Sequence, residues 1–210
     1  MYRLCRLLWL IVQADCSGGG FDRQKLLSYH AMSSSIEAVL RTAREARNEQ
    51  RFHDAKRALL EGLESCRHNG QQTQLPVVLK ALGQIERDMG NPEVALPLYE
   101  EAVAIYRNQD QPLALAHTIR HVADIQQDLG RTDLAEPNYR EALAIYRDHP
   151  ETSPLDLANA IRGLAILTFD TGKREEARTL WQEAHDLYAA ANVEPGVQES
   201  ARRLALLASR

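Results

Sequence analysis

Along most of the chain, apolar side chains recur at three- and four-residue intervals, the period of helices that bury one face. The pattern is punctuated by turn residues at Gln50, Gly90, Gly130 and Gly172. Five residues after each stands an alanine (Ala55, Ala95, Ala135, Ala177), and nine after stands a large side chain (Leu59, Tyr99, Tyr139, Trp181). Twelve after comes a small residue (Gly62, Ala102, Ala142, Ala184), and sixteen after comes Cys66, Tyr106, Tyr146 or Tyr188. These offsets trace one stripe of a helix, where small residues admit a neighbouring helix and the rings fill the gap toward the next unit. A second stripe precedes each turn: Val39, Leu79, Ile119 and Ile161 eleven residues ahead, with Thr42, Leu82, Val122 and Leu164 eight ahead.

The spacing therefore predicts four helix–turn–helix units, at about 33–69, 74–110, 112–150 and 154–193. A repeat of about forty residues implies stacked units that bury a core together, since one hairpin alone cannot. Three of the turns carry Gly, which takes the left-handed conformation that ends a helix without a Cβ penalty. Gln50 departs from this, and the first hairpin is expected to be the least regular. Polar, helix-breaking loops separate the units, among them Asn108–Pro112 and Asp148–Pro154. A final helix at 197–209 keeps the register, with Leu204-Ala205 forty residues after Leu164-Ala165, and is expected to cap the exposed end.

Residues 1–31 stand outside the repeats, so the chain reads as an N-terminal extension followed by a repeat domain over 32–210. Arg3 and Arg6 precede the apolar run Leu7–Val12, which is signal-like yet far short of the ~20 apolar residues of a membrane span. Gly18-Gly19-Gly20 lacks a following Lys-Ser/Thr and is a linker, not a phosphate loop. Ser34 and Glu37 have capping-box spacing at the start of a helix beyond Met32. Three readings stay open: a biological start at Met32, an export signal cleaved after Ala14, and a retained tail. With Cys66 alone in the repeat region, no disulfide framework exists, and a cytoplasmic location is expected unless residues 1–14 are a working signal. A net charge of −4 provides no basis for nucleic-acid binding.

Leu82-Gly83 before the turn, Gly90 at it, and Ala95, Tyr99 and Ala102 after it follow the tetratricopeptide pattern in order and spacing. Residues 33–208 thus resemble the tetratricopeptide repeat family, and specifically its longer units of 40–42 residues, like those of kinesin light chains and many bacterial members. Ala135-Glu136-Pro137 with Tyr139, Ala142 and Leu143 carries that likeness most closely. The resemblance implies an all-α, right-handed superhelical solenoid whose first helices line a concave groove for a peptide or helix. HEAT and armadillo repeats share the period but not the Gly turn with its alanines.

Projected onto this sequence, the groove positions lie ten, nine, six, three and two residues before each turn. Lys80, Arg120 and Arg162 fall at the first of these, with Arg202 matching them in the final helix, and Arg87 adds charge nearby. Such a ladder suits an acidic side chain or a terminal carboxylate. Asp88, Asp128 and Asp170, two before their turns, form an opposing acidic ladder. The competing reading is a solvated surface in which Arg120 and Asp124 are a simple i,i+4 pair. His117, His121 and Asp124 share a helix face and form the one candidate metal set, although the Glu of a metalloprotease helix is missing. No nucleophile elbow, Walker loop or dinucleotide fingerprint occurs, so no catalytic residue and no cofactor is assigned. The reading is a non-catalytic protein-interaction module; self-association as an assembly scaffold is the alternative, and a metal-dependent role the remote one.

Overall fold

The structure is a computed structural model that describes the backbone of residues 23–209 and the side chains from Ser35 onward. The run Leu7–Val12 and the linker Gly18–Gly20 lie outside the described residues, as does the cleavage position after Ala14. The chain divides into two compact units, Met1–Glu37 and Ala38–Arg210, and the repeats occupy the second.

The described residues form helices α1 (Arg23–Asn48), α2 (Phe52–His68), α3 (Leu75–Asp88), α4 (Pro92–Tyr106) and α5 (Pro112–Asp128). They continue with α6 (Thr132–Asp148), α7 (Pro154–Asp170), α8 (Arg174–Ala190) and α9 (Glu194–Ala208), and no strand interrupts them. Two expected boundaries move. Helical backbone runs through Ser34 without a break, so Ser34 begins no helix. The last helix opens at Glu194 rather than 197, because Pro195 fits the first turn, where its missing N–H costs nothing.

Each first helix packs on the second helix of its own unit and on that of the unit before, so α4 is flanked by α3 and α5, and α6 by α5 and α7. The turns make this register. Gly90, Gly130 and Gly172 adopt φ of 81°, 71° and 81°, and the N–H after each reaches back to the carbonyl of Glu86, Gln126 or Thr168. That bond satisfies one of the carbonyls left open at a helix end. Gln50 holds the same left-handed conformation at φ 58°, with Arg51 N–H on the Ala46 carbonyl, so the first turn is regular despite its side chain.

The alanine stripe is fully buried and the rings beside it nearly so, Trp181, Tyr99 and Tyr139 being the largest. Their packing refines the expectation of rings reaching toward the next unit. Tyr139 lies against Gly163 and Tyr188 against Gly196, each in the following helix, whereas Tyr99 lies on Gly83 of its own unit. A Cβ at Gly83 would sit 2.6 Å from the Tyr99 ring, which is why no larger residue fits. On the second helices, equivalent bridges join neighbouring units: Arg67 to Glu101 at 2.8 Å, Arg107 to Glu141 at 2.9 Å and Arg147 to Glu183 at 2.8 Å. Buried Glu86 is held by Lys56 Nζ at 2.7 Å and by the Asn91 amide at 3.0 Å. No described helix is long and apolar enough to cross a membrane.

Candidate functional site

The first helices present a common face. On α3 it carries Val77, Lys80, Ala81, Gln84 and Asp88; on α5, His117, Arg120, His121, Asp124 and Asp128; on α7, Asn159, Arg162, Gly163 and Ile166. The face is chemically divided. Between α1 and α3 lies a hollow of about 390 Å³ whose walls include Leu40, Leu59, Val77, Ala81, Ile85 and Tyr99. Arg44, Arg47, Lys80, His117 and His121 also line it. Between α5 and α7 lies a second hollow of about 310 Å³, lined chiefly by Arg87, Arg120, Asp124, Asp128, Tyr139 and Arg162.

The charged ladder is largely committed within the chain. Arg120 Nη1 donates to Asp124 Oδ2 at 2.7 Å and its Nη2 lies 2.9 Å from His121 Nε2. The other ring nitrogen, Nδ1, lies 3.3 Å from Arg87 Nη1 and 3.5 Å from Asp124 Oδ2. Arg87 donates to Asp128 at 3.2 Å, and Arg47 is bonded to Asp88. The acidic ladder thus faces the arginine of the preceding unit, two members of it being neutralised across a unit boundary. The third unit has Gln127 where the first two have arginine, and Asp170 is exposed. Arg162 holds Glu199 of α9 in a two-pronged bridge, at 2.7 and 3.0 Å. Arg202 is exposed on α9 and forms no ion pair among the described residues.

Lys80 differs from its counterparts. It has no carboxylate within ion-pair distance among the described residues, and its ammonium stands 5.6 Å from the centre of the Tyr106 ring. Burial, aided by the charge of Arg120, lowers its pKa below the usual lysine value. His117 is pushed down to about 3, first by burial and then by Lys80, His121 and Arg120, so it is neutral at physiological pH. Burial works against ionisation of Asp124, but the His121 hydrogen bond and the Arg120 charge outweigh it and hold the carboxyl below its ordinary range.

His117 and His121 do come together, their ring centroids 4.7 Å apart, with Asp124 Oδ2 3.5 Å from His121 Nδ1. Guanidinium groups of Arg120 and Arg87 approach both nitrogens of His121, at 2.9 and 3.3 Å, so the ring is already engaged by two cations. Among the described residues no group of three or more potential ligands is arranged for a metal.

Sequence patterns alone cast the tyrosines only as core residues, yet their hydroxyls reach this face. Tyr139 Oη donates to Asp124 at 2.8 Å or to Gln127 at 2.9 Å, and Tyr188 Oη donates to Asn159 at 2.8 Å. The signal available was the choice of Tyr over Phe, since a buried ring with a hydroxyl needs a polar partner.

Comparison with known proteins agrees with this geometry. A family model described as tetratricopeptide repeat matches residues 74–148 and 113–190, overlapping stretches that together take in more than half of the chain. No curated protein matches. Among solved structures, the MamA protein superposes with a TM-score of 0.60 at 15% identity, over 83% of this chain and 81% of that one. A putative kinesin light chain of Podosopora anserina with nearly identical TPR-like repeats gives 0.67 at 16%, over 82% and 84%. A signal-transduction ATPase with numerous domains from Pyrococcus horikoshii, which has a tetratricopeptide repeat sensor, gives 0.74 at 16%. That match takes in 82% of this chain and 26% of the larger protein. At these identities the likeness is one of fold.

Proposed function

The chain belongs to the tetratricopeptide repeat family, whose members are generally non-catalytic protein-interaction scaffolds, and from that premise we propose that the face of its first helices binds a segment of a partner protein. The observation that carries this reading is the hollow of about 390 Å³ between α1 and α3. Its apolar walls suit a large apolar side chain, and its cationic lining suits a ligand with acidic character. An extended or helical segment would anchor there and continue along α5 and α7, past the hollow that Arg120 and Arg162 line.

The ladder expected from the sequence acquires a different role in this account. Arg87, Arg120 and Arg162 would hold the groove in shape through their own carboxylates, and Lys80 would face the ligand. A charge already satisfied within the protein gains little from a second acceptor, whereas an unpaired one gains a charge-assisted hydrogen bond.

The test is selection of short random peptides on the full chain, followed by binding measurements with the Ala81→Trp variant, whose indole fills the hollow. Enriched peptides that bind the wild type and lose affinity for the variant support the groove. Failure to enrich any peptide, or peptides indifferent to Ala81→Trp, would sink it.

A further inference from the structure

Ser200 and Leu207 of α9 are buried, as are Ala160 and Leu167 of α7 forty residues earlier, so α9 sits on α8 as a first helix sits on the unit before it. The other side of α9 is different. In α5 and α7 the residues eleven, seven and four before the turn include Ile119, Ala123, Ile161, Ala165 and Thr168, none more than 1% exposed, because the second helix of the same unit covers that side. On α9 the matching positions hold Ala201, Ala205 and Ala208, all exposed, with Leu204 half-buried among them. The opposite end of the repeats has the polar outer face that solenoids need: Glu45 is exposed where Ile85, Ile125 and Leu167 are buried, and exposed Arg41 lies one turn away. Head-to-tail stacking of copies would press the apolar side of α9 against these charges, which disfavours it.

Between Leu204 and the flank of α8 lies a hollow of about 650 Å³, lined also by Glu175, Arg178, Gln182, Glu183 and Asp186. Glu183 is spent on Arg147. Glu175 and Asp186 are exposed and paired with no arginine or lysine among the described residues; Asp186 accepts from the Gln182 amide at 3.0 Å and lies 3.5 Å from His185 Nδ1. The sign of the layer changes here. Seventeen residues after their turns, Arg67, Arg107 and Arg147 reach forward to a glutamate of the next second helix, but the fourth unit has Ala189 there. We propose that the open side of α9 receives an amphipathic helix of a partner protein, seated beside α8 as each second helix sits beside the one before it. Its charge differs from that of the internal helices: lysine or arginine faces Glu175 and Asp186, where an internal helix would bring glutamate. Its apolar stripe is the one this chain uses for the same seat, alanine, tyrosine, alanine and tyrosine spaced as Ala135, Tyr139, Ala142 and Tyr146. This surface is separate from the hollow between α1 and α3, and the inference does not rest on the groove reading.

The probe is a library of helical peptides with the pattern Ala-x3-Tyr-x2-Ala-x3-Tyr fixed and every other position randomised, selected on the full chain. Enriched members are expected to carry more lysine and arginine than the unselected library. Affinities by fluorescence polarisation are then compared for the wild type, Ala205→Glu, Ala208→Glu, the pair Glu175→Gln with Asp186→Asn, and Ala81→Trp. Either glutamate on α9 should weaken binding by at least about tenfold, since seating the helix would bury an unpaired charge. The α8 pair should weaken it by about threefold at low salt and by less at high salt, as for solvated ion pairs. Ala81→Trp should change nothing. All four α8 and α9 substitutions fall at exposed positions, so unchanged helicity and melting separate lost binding from lost folding. Failure to enrich any peptide, enrichment without excess basic residues, or binding indifferent to both Ala205→Glu and Ala208→Glu overturns the proposal. So does a dimer in light scattering that Ala205→Glu dissociates, because the face would then be filled by a second copy.

Discussion

The face formed by α1 and α3 and the face formed by α5 and α7 are built on the same repeat positions, yet they have opposite character. Toward α1 and α3 the template positions hold Leu40, Val77 and Ala81 around an apolar hollow, with Lys80 unpaired. Toward α5 and α7 the same positions hold Arg120, His121, Asp124 and Arg162, closed into bridges with one another and with Glu199. A repeat fixes where side chains stand and leaves open whether they are satisfied. An unsatisfied surface is available to a ligand, and a satisfied one stiffens the scaffold. The position of a charge in a repeat is thus a poor guide to its role until its partners are known.

The sharpest way to break this contrast is at Asp124, which accepts from Arg120 and from Tyr139 at 2.7 and 2.8 Å. Asp124→Ala is expected to cost about 2–3 kcal/mol in urea denaturation, somewhat under the toll of breaking a fully buried pair because the site keeps some solvent. A cost near zero would mean the bridges do not hold α5. Gly163→Ala should cost about 1–3 kcal/mol, since its new Cβ would overlap the Tyr139 ring and force backbone or ring to shift. The comparison is sharpened by removing single hydroxyls. Tyr139→Phe should cost about 1–1.5 kcal/mol, whereas Tyr99→Phe, whose hydroxyl has only a 3.5 Å contact with Gln84, should cost under about 0.5 kcal/mol. Equal losses would erase the difference between the two regions.

The pH dependence follows from His117. Its pKa falls from 6.5 to about 3 on folding, so the folded state refuses a proton that the unfolded chain accepts. Stability is therefore full above the unfolded value and declines as pH falls below about 6.5, by roughly 1 kcal/mol between pH 7 and 5.5 for this one group. Denaturation curves across that range should show the decline, and His117→Gln should lessen it, the remainder coming from His121, whose pKa burial also lowers. The smallest effect is expected on the second helices. Arg107→Gln should change stability by about 0.5 kcal/mol or less and should matter less still at high salt, because its bridge to Glu141 is solvated.

Much of the architecture was legible in the residues themselves. Alanines, rings and turn glycines at fixed offsets specify helices that must stack, because each element is a local consequence of periodicity and backbone freedom. Gln50 shows the limit of such reading: a side chain that disfavours the left-handed turn adopts it, since packing of α1 on α2 outweighs a small local preference. Tyr146 shows another. The offset rule places its ring in the core, but only the assembled fold shows it lining a hollow beside the start of α7.

What the sequence determined by itself, then, is the set of helices, their turns and the residues that face inward, all carried by interactions within a few tens of residues. The tertiary structure decided which charges are spent. Arg47 finds Asp88 and Arg162 finds Glu199 only when successive units stack at one angle and distance, and that geometry is set by whole interfaces. Lys80 is left without an ion pair for the same reason: among the described residues the stacked units bring no carboxylate within ion-pair distance of it, although Asp156 lines the same hollow.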